Sequence, residues 1–316
     1  MDLQIGGYKL KAGEKKSGIL PVINSTVELP VTMICGREAG PAVLISAGIH
    51  GAEYIGIQTA MELSREIEPD KIKGRLIFLL VANPAACRDF VRFVVPGDRN
   101  NMNRVFPGDK NGGPAEKTAY TIVHELQSRA DYYLDLHAGD TSERAMPFVY
   151  FPGEAMKEVV EKSRAMAQAT DLRIRVKSSA KTGAYNCAGI HGLPAVLMER
   201  GGGGVFSREE VELYKQDVRN ILVHLGVLKG REVHHYEQQE VNQATYLEAE
   251  TDGFWYPALQ AGDCFKKGGV LGEITDVWGN QLVVYRADYN GIVLYQTVGM
   301  GIKAGDPLLA YGRYYQ

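Results

Sequence analysis

In the stretch SAGIHGAEYIGIQTAMELSREI, residues 46–67, His50 and Glu53 stand three apart where an apolar run gives way to a helical pattern. At the entry to a helix, positions i and i+3 share a face, so this imidazole and carboxylate can turn toward one point. Taken alone the pair is weak evidence, because this spacing often arises by chance and His50 reads as a polar loop residue that happens to precede a helix. A catalytic zinc site needs about three nitrogen or oxygen ligands and keeps one position open for water. DYYLDLHAGD offers the third ligand, because His137 ends another apolar run and Asp135, two residues earlier on the same strand face, can orient its ring. GLPAVLMERGGGG ends a third apolar run in Glu199. An unpaired carboxylate at the tip of a buried strand is costly, which suits a general base beside a metal, with a surface glutamate as the alternative. The glycines that follow allow backbone to come close. Finally, NPAACRDFVRFVVPGDRNNMNRVFPG, residues 83–108, gathers Arg88, Arg92, Arg99 and Arg104 with Asn100, Asn101 and Asn103 in one loop. Guanidinium and amide groups together suit the grip of a carboxylate and the stabilisation of an oxyanion.

These residues need a scaffold that brings distant strand ends together. PAVLISAG, RLIFLLVAN, DYYLDLH, PFVYF and PAVLMER read as buried strands. Helical stretches are expected over 53–67, 114–130, 154–170 and 207–225; in the last, Val211, Tyr214, Val218, Ile221, Leu222 and Leu225 recur at helical spacing. Alternating strands and helices predict an α/β layer architecture, in which sites collect at strand carboxyl ends.

After about residue 240 the helical signals stop, and an internal repeat takes over. Ala249, Gly253, Gly262, Lys266, Gly268 and Leu271 match Ala287, Gly291, Gly299, Lys303, Gly305 and Leu308. Two halves of short strands joined by glycine turns predict a small all-β module. It resembles the hammerhead of biotinyl/lipoyl carrier domains, but the hairpin Glu273 to Gln281 between the halves has no lysine to modify. A structural cap or a wall of the active-site entrance is the expectation instead. The expected division is 1–240 for a catalytic domain and 241–316 for the β-rich one.

Composition bounds the partners. The 316 residues are 45% hydrophobic and 23% charged, with a formal net charge of −3. That balance gives no reason to expect nucleic acid or an anionic membrane. The N-terminus lacks the apolar core of a signal peptide, and no run of about 18 apolar residues appears. Cys35, Cys87, Cys187 and Cys264 are scattered without a CxxC pair, as expected of reduced thiols in a cytoplasmic protein.

With these pieces in order (GIHGAE, NP, FVRF, NMNRVFPG, DLHAG and LMERGGGG) the chain resembles the succinylglutamate desuccinylase/aspartoacylase branch of the zinc carboxypeptidase superfamily. The likeness spans roughly residues 40–205, and a trailing β-module is usual in that branch. It implies a zinc carboxypeptidase-like mixed central sheet flanked by helices, and one zinc ion per chain held by His50, Glu53 and His137. It implies Glu199 as the catalytic glutamate, Arg92 as the arginine that polarises the scissile carbonyl, and Asn103 with Arg104 as the grip on the substrate carboxylate. A further substrate arginine that aspartoacylases carry shortly before the glutamate has no counterpart here; TGAYNCAGIHG offers Tyr185 and His191 instead. The expected activity is zinc-dependent hydrolysis of the amide of a small N-acyl amino acid. A carboxypeptidase acting on peptides and a non-catalytic metal- or ligand-binding protein are the competing readings. Neither the acyl group nor the oligomeric state follows from these residues, so self-association stays open.

Overall fold

The computed structural model of the chain describes residues 2–91, 95 and 100–314. The expected buried strands assemble, among the described residues, into a mixed sheet of 13 strands. From one edge its path runs Lys15–Pro21, Glu28–Cys35, Lys73–Leu79, Glu38–Ala47, Tyr132–Leu136, Ala195–Gly202, Glu143–Pro152, Gly291–Thr297, Pro307–Arg313 and Ala244–Glu248. The four central strands from Lys73–Leu79 to Ala195–Gly202 are parallel, and the strands that flank them pair antiparallel. Buried on both faces, the parallel strands carry the continuous apolar runs read from the sequence.

One face packs the helices Tyr54–Glu66, Lys157–Gln168 and Arg208–His224, which bury Leu63, Met166 and Val218 against Val43, Ile45 and Met198. The last of these helices is started by Ser207, whose side chain accepts from the Glu210 N–H, with Glu209 and Glu210 in its first turn. The opposite face packs Leu44, Tyr133, Leu197 and Phe148 against Pro114–Thr121, Ala184–Ile190 and the short turn at Met102. The expected helix over 114–130 is interrupted: it passes into a π-type turn at Ile122–Leu126 and a 3-10 turn at Gln127–Arg129. The short helices Pro84–Asp89 and Ala184–Ile190 add to the four expected ones.

Residues after 240 are all strand and turn, as the repeat predicts. The two halves interlock: Gly305 N–H donates to Ala249 O at 2.8 Å while Gly268 N–H donates to Ala287 O at 2.8 Å, the same bond made twice across the repeat. A small core of Trp255, Leu271, Ile274, Leu308 and Tyr311 fills the space between them. Four strands from this region also extend the central sheet, because Gly291–Thr297 pairs with Glu143–Pro152 through Tyr295↔Ala145 and Thr297↔Glu143, and Cys264–Phe265 pairs with it in turn. Trp278, in the hairpin between the halves, is 83% exposed. Among the described residues no helix is long and apolar enough to cross a membrane. All four cysteines are free.

Candidate metal and substrate site

Sheet register explains why residues distant in sequence meet. Asp135 pairs with Ser46 on one neighbouring strand and with Leu197 on the other. Side chains alternate along a strand, so His137 and Glu199, each two positions on, leave the sheet on the same face and at the same end. His50 arrives there from the third strand through a turn at Gly48, whose φ of +70° is a left-handed conformation that glycine adopts without strain. Glu53 occupies the N-cap position of Tyr54–Glu66, yet its side chain makes no capping bond. Its carboxylate turns instead to the histidines.

There Glu53 bridges two imidazoles. His50 Nδ1 lies 2.6 Å from Glu53 Oε1, and His137 Nδ1 lies 3.0 Å from Glu53 Oε2. The rings meet edge to face with centroids 5.0 Å apart. Potential ligand atoms of His50, Glu53 and His137 all fall within 4.8 Å of one another. Glu53 Oε2 is buried and lacks an aligned hydrogen-bond donor despite its nearness to His137. A carboxylate oxygen orphaned in this way, between two ring nitrogens, is what a divalent cation would satisfy.

An oxygen also lies near the far nitrogen of each ring, although His137 Nε2 has no aligned hydrogen bond among the described residues. His137 Nε2 sits 3.2 Å from Asp135 Oδ2, and His50 Nε2 sits 3.3 Å from Asn101 Oδ1. Asp135 is fully buried and accepts from Ser46 Oγ at 2.7 Å, with Tyr133 OH a further 2.7 Å from that oxygen. With oxygens near the outer nitrogens, Nδ1 is the atom that each ring turns toward the Glu53 carboxylate. Behind them, Tyr214 OH reaches His137 O at 2.9 Å and Met198 O at 2.6 Å, clasping the histidine strand to the glutamate strand. Asn101, Ser46, Tyr133 and Tyr214 were not singled out as second-layer residues by the sequence; a serine inside the apolar run VLISAG was the one available signal.

Electrostatics follow from the crowding. Burial works to raise the Glu53 pKa, but His137 and His50 outweigh it and hold the carboxyl at about 2. Burial likewise works to lower His137, and the Glu53 and Asp135 charges overcome it, lifting the imidazole well above its ordinary range. Both neighbouring carboxylates favour the protonated form of His137, so a cation that takes its Nδ1 would compete with that proton. Glu199 goes the other way: burial first, then the Glu53 charge, push its carboxyl well above the usual range. Its Oε2 is buried with no hydrogen-bond partner among the described residues. Close behind it, a Cβ at Gly202 would stand 2.2 Å from Glu143 O, so the glycine run does permit a close backbone approach. Arg200, the next residue after Glu199, points to the other face, where it pairs with Asp217 at 2.9 Å and Glu210 at 3.1 Å.

The cavity in front of this centre has a volume of about 420 Å³. His50, Glu53, His137 and Glu199 line it together with Asn103, Arg104 and Tyr185. Asn103 Oδ1 accepts from the Ala184 N–H at 2.9 Å, which leaves its amide NH₂ as the group it can present to a ligand. Arg104 is exposed, and no carboxylate pairs with it among the described residues. Tyr185 is buried and stacks on Tyr150 with centroids 6.2 Å apart. His191 does not line the cavity; it sits exposed at the far end of Ala184–Ile190 with Nδ1 2.7 Å from Cys187 O, because a seven-residue helix carries it away from Tyr185. Arg92 lies outside the described residues.

Residues 39–225 match the family described as succinylglutamate desuccinylase/aspartoacylase catalytic domain. An N-alpha-acetyl-L-2,4-diaminobutyric acid deacetylase from Halomonas elongata is 28% identical over 305 residues, covering 92% of this chain and 88% of the relative. A succinylglutamate desuccinylase from Pseudomonas paraeruginosa is 33% identical over 134 residues, 39% of each chain. Among solved structures, a product-bound ectoine utilization protein, EutE (DoeB), from Ruegeria pomeroyi superposes with a TM-score of 0.87 at 28% identity, covering 96% of both chains. A succinylglutamate desuccinylase/aspartoacylase from Rhodobacter sphaeroides gives a TM-score of 0.85 at 25% identity, covering 96% of this chain and 97% of that one.

Proposed function

The chain belongs to the succinylglutamate desuccinylase/aspartoacylase family, and on that premise we propose that it is a zinc-dependent hydrolase that removes the acyl group from a small N-acyl amino acid. The observation that supports this most is the shared face of His50, Glu53, His137 and Glu199: three candidate ligands within 4.8 Å and, beside them, a carboxyl whose buried Oε2 has no hydrogen-bond partner among the described residues. His50 Nδ1, Glu53 and His137 Nδ1 are the proposed ligands of one ion per chain. Bound there, zinc supplies Lewis acidity to the attacking water and to the amide carbonyl.

The chain's own residues do the rest. Glu199 accepts the proton of the attacking water and delivers it to the departing amine, a contribution of about 10²–10⁴-fold. Its raised affinity for a proton suits the acid half of that cycle, and a nearby dication favours the base half. Arg92 is assigned to the oxygen on which negative charge develops. The Asn103 amide and the Arg104 guanidinium hold the substrate's carboxylate by charge-assisted hydrogen bonds, so that the acyl carbon sits in front of Glu199. Tyr185 forms part of the wall around the acyl amino acid.

Cavity size favours a small substrate over a peptide. Tyr246, Glu248, Tyr295 and Pro307, all from the region after 240, close one side of it. We read residues 241–316 as a hammerhead-like module that serves as this wall, next to a catalytic domain of residues 1–240 in a cytoplasmic enzyme. The test is amine release from a panel of N-acyl amino acids, headed by N-α-acetyl-2,4-diaminobutyrate, N-succinylglutamate and N-acetylaspartate, with zinc-loaded and chelator-treated protein. Zinc-dependent release from at least one is expected. Hydrolysis of peptides alone, or release that survives complete removal of metal, contradicts the proposal.

A further inference from the structure

Glu199 stands where its own strand is least regular. On one side, the pairing of Ala195–Gly202 with Tyr132–Leu136 stops at Met198, opposite Leu136. On the other, Glu199 faces Phe148 and Gly201 faces Ala145, so the single residue Arg200 stands against both Met146 and Pro147. An extra residue of this kind bends the ladder locally, and Pro147 has no N–H to give it. Beyond Arg200 come four glycines, all at positive φ, whose backbone resists movement least. Sheet pairing alone therefore does little to fix the Glu199 carboxylate.

The helix Arg208–His224 supplies what the ladder lacks. It grips the strand one residue before Glu199, where Tyr214 OH lies 2.6 Å from Met198 O, and one residue after it, where the buried Arg200 guanidinium meets Asp217 at 2.9 Å and Glu210 at 3.1 Å. Asp217 is itself buried and tied down, because its second oxygen accepts from the Asp171 N–H at 2.8 Å. Successive side chains leave a strand on opposite faces, so an arginine anchored to the helix holds its neighbour toward the cavity. Arg200 does not line the substrate cavity; it borders a separate one of about 270 Å³, together with Asp217 and Pro147. A buried ion pair adds little net stability, since desolvation offsets its attraction; fixing one geometry is the use such a pair can have.

We propose that Arg200, through its ion pairs with Asp217 and Glu210, is a positioning residue for Glu199 and holds that carboxylate within reach of the proton it must accept and return. This rests on the deacylase reading above and deepens it.

Arg200→Met combined with Asp217→Asn removes the two buried charges together and strands neither, and the asparagine oxygen still accepts from the Asp171 N–H. Rates are counted per bound zinc, on the N-acyl amino acid that the unaltered protein hydrolyses fastest. In the double variant kcat is expected to fall by about 10–100-fold, as a displacement on the order of 1 Å produces, with KM and zinc stoichiometry unchanged. Asp217→Asn alone is nearly isosteric and leaves Arg200 its bond to Glu210; it should fold in any case and lose about 3–10-fold in kcat. Arg200→Lys keeps the charge and should recover part of what the double variant loses. A purely structural pair would instead reduce the yield of zinc-bearing chains and leave their kcat intact. A kcat per bound zinc within twofold of the unaltered protein in either Asp217→Asn or the double variant overturns the assignment while leaving deacylation standing. So does a loss of zinc that accounts for the whole fall, or a kcat in Arg200→Lys no higher than in the double variant. Failure of the unaltered protein to release amine from any N-acyl amino acid overturns the deacylase reading and this inference together.

Discussion

Replacing Asp135 by alanine isolates the layer behind the proposed metal ligands. Asp135 touches no ligand position itself; it lies 3.2 Å from the outer nitrogen of His137, and its other oxygen accepts from Ser46 at 2.7 Å. Ser46 keeps Tyr133 OH at 2.7 Å after the change, so the deletion does not strand a buried hydroxyl. What is lost is the carboxylate beside the outer nitrogen of His137, whose charge favours a proton there and a free Nδ1. Removal of such an outer-layer carboxylate typically costs 10–100-fold in metal affinity, or about 1.4–2.7 kcal/mol. One effect opposes this. Asp135 also helps keep His137 protonated when no ion is bound, so its loss makes the proton easier to displace and softens the pH dependence of uptake. The variant should therefore bind zinc about 10–100-fold more weakly at pH 7.5, with the deficit shrinking as pH falls toward 6. Competition against a chromophoric chelator at both pH values measures this directly. A zinc affinity within twofold of the unaltered protein at pH 7.5, with circular dichroism unchanged, would refute the orienting role of Asp135.

Other consequences are equally concrete. Glu199→Gln, nearly isosteric, should lower amine release by about 10²–10⁴-fold and keep one zinc per chain; loss of the metal would make Glu199 a ligand. Tyr214→Phe removes the hydroxyl that joins His137 O to Met198 O. It should lower unfolding stability by about 1–2 kcal/mol in urea titration, and a change below about 0.3 kcal/mol would mean that the clasp carries no load. Glu62 reports on the far face: burial works to raise its pKa, but hydrogen bonds from Gln58, Arg208 and Lys215 outweigh burial and hold it at about 2. A depressed carboxyl stabilises the fold above its ordinary range and loses that contribution as pH falls toward 2. After allowance for solvent screening at this rim cluster, about 1 kcal/mol is at stake. Glu62→Gln should accordingly show a shallower loss of stability between pH 4.5 and 2.5, and an identical slope would contradict the assignment.

What the sequence made legible was local, and what it hid depended on register. The turn at GIHG and the strand endings at His137 and Glu199 are signalled by residue type alone, and the structure brings all three to one end of the sheet. The helices expected over 53–67 and 207–225 appear as Tyr54–Glu66 and Arg208–His224 because their apolar spacing runs over several turns. Ala184–Ile190 is too short for such spacing to show. Ser46 and Tyr214 matter only because Ser46 pairs with Asp135 in the sheet and Tyr214 faces the end of that strand, relations that no short window contains. The same holds for Glu248. Its strand reaches the cavity through the pairing of Gly291–Thr297 with Glu143–Pro152, a contact between segments far apart in the chain.

The central claim is that two imidazoles and one carboxylate hold a single ion in front of Glu199. Zinc-edge X-ray absorption on the stoichiometrically loaded protein tests it most directly, with His137→Ala measured alongside. The account predicts one zinc per chain, a shell of nitrogen and oxygen neighbours at about 2.0–2.2 Å with the multiple scattering of two imidazoles, and loss of one imidazole or of the ion in the variant. A sulfur-containing shell, or a spectrum unchanged by His137→Ala, would contradict it.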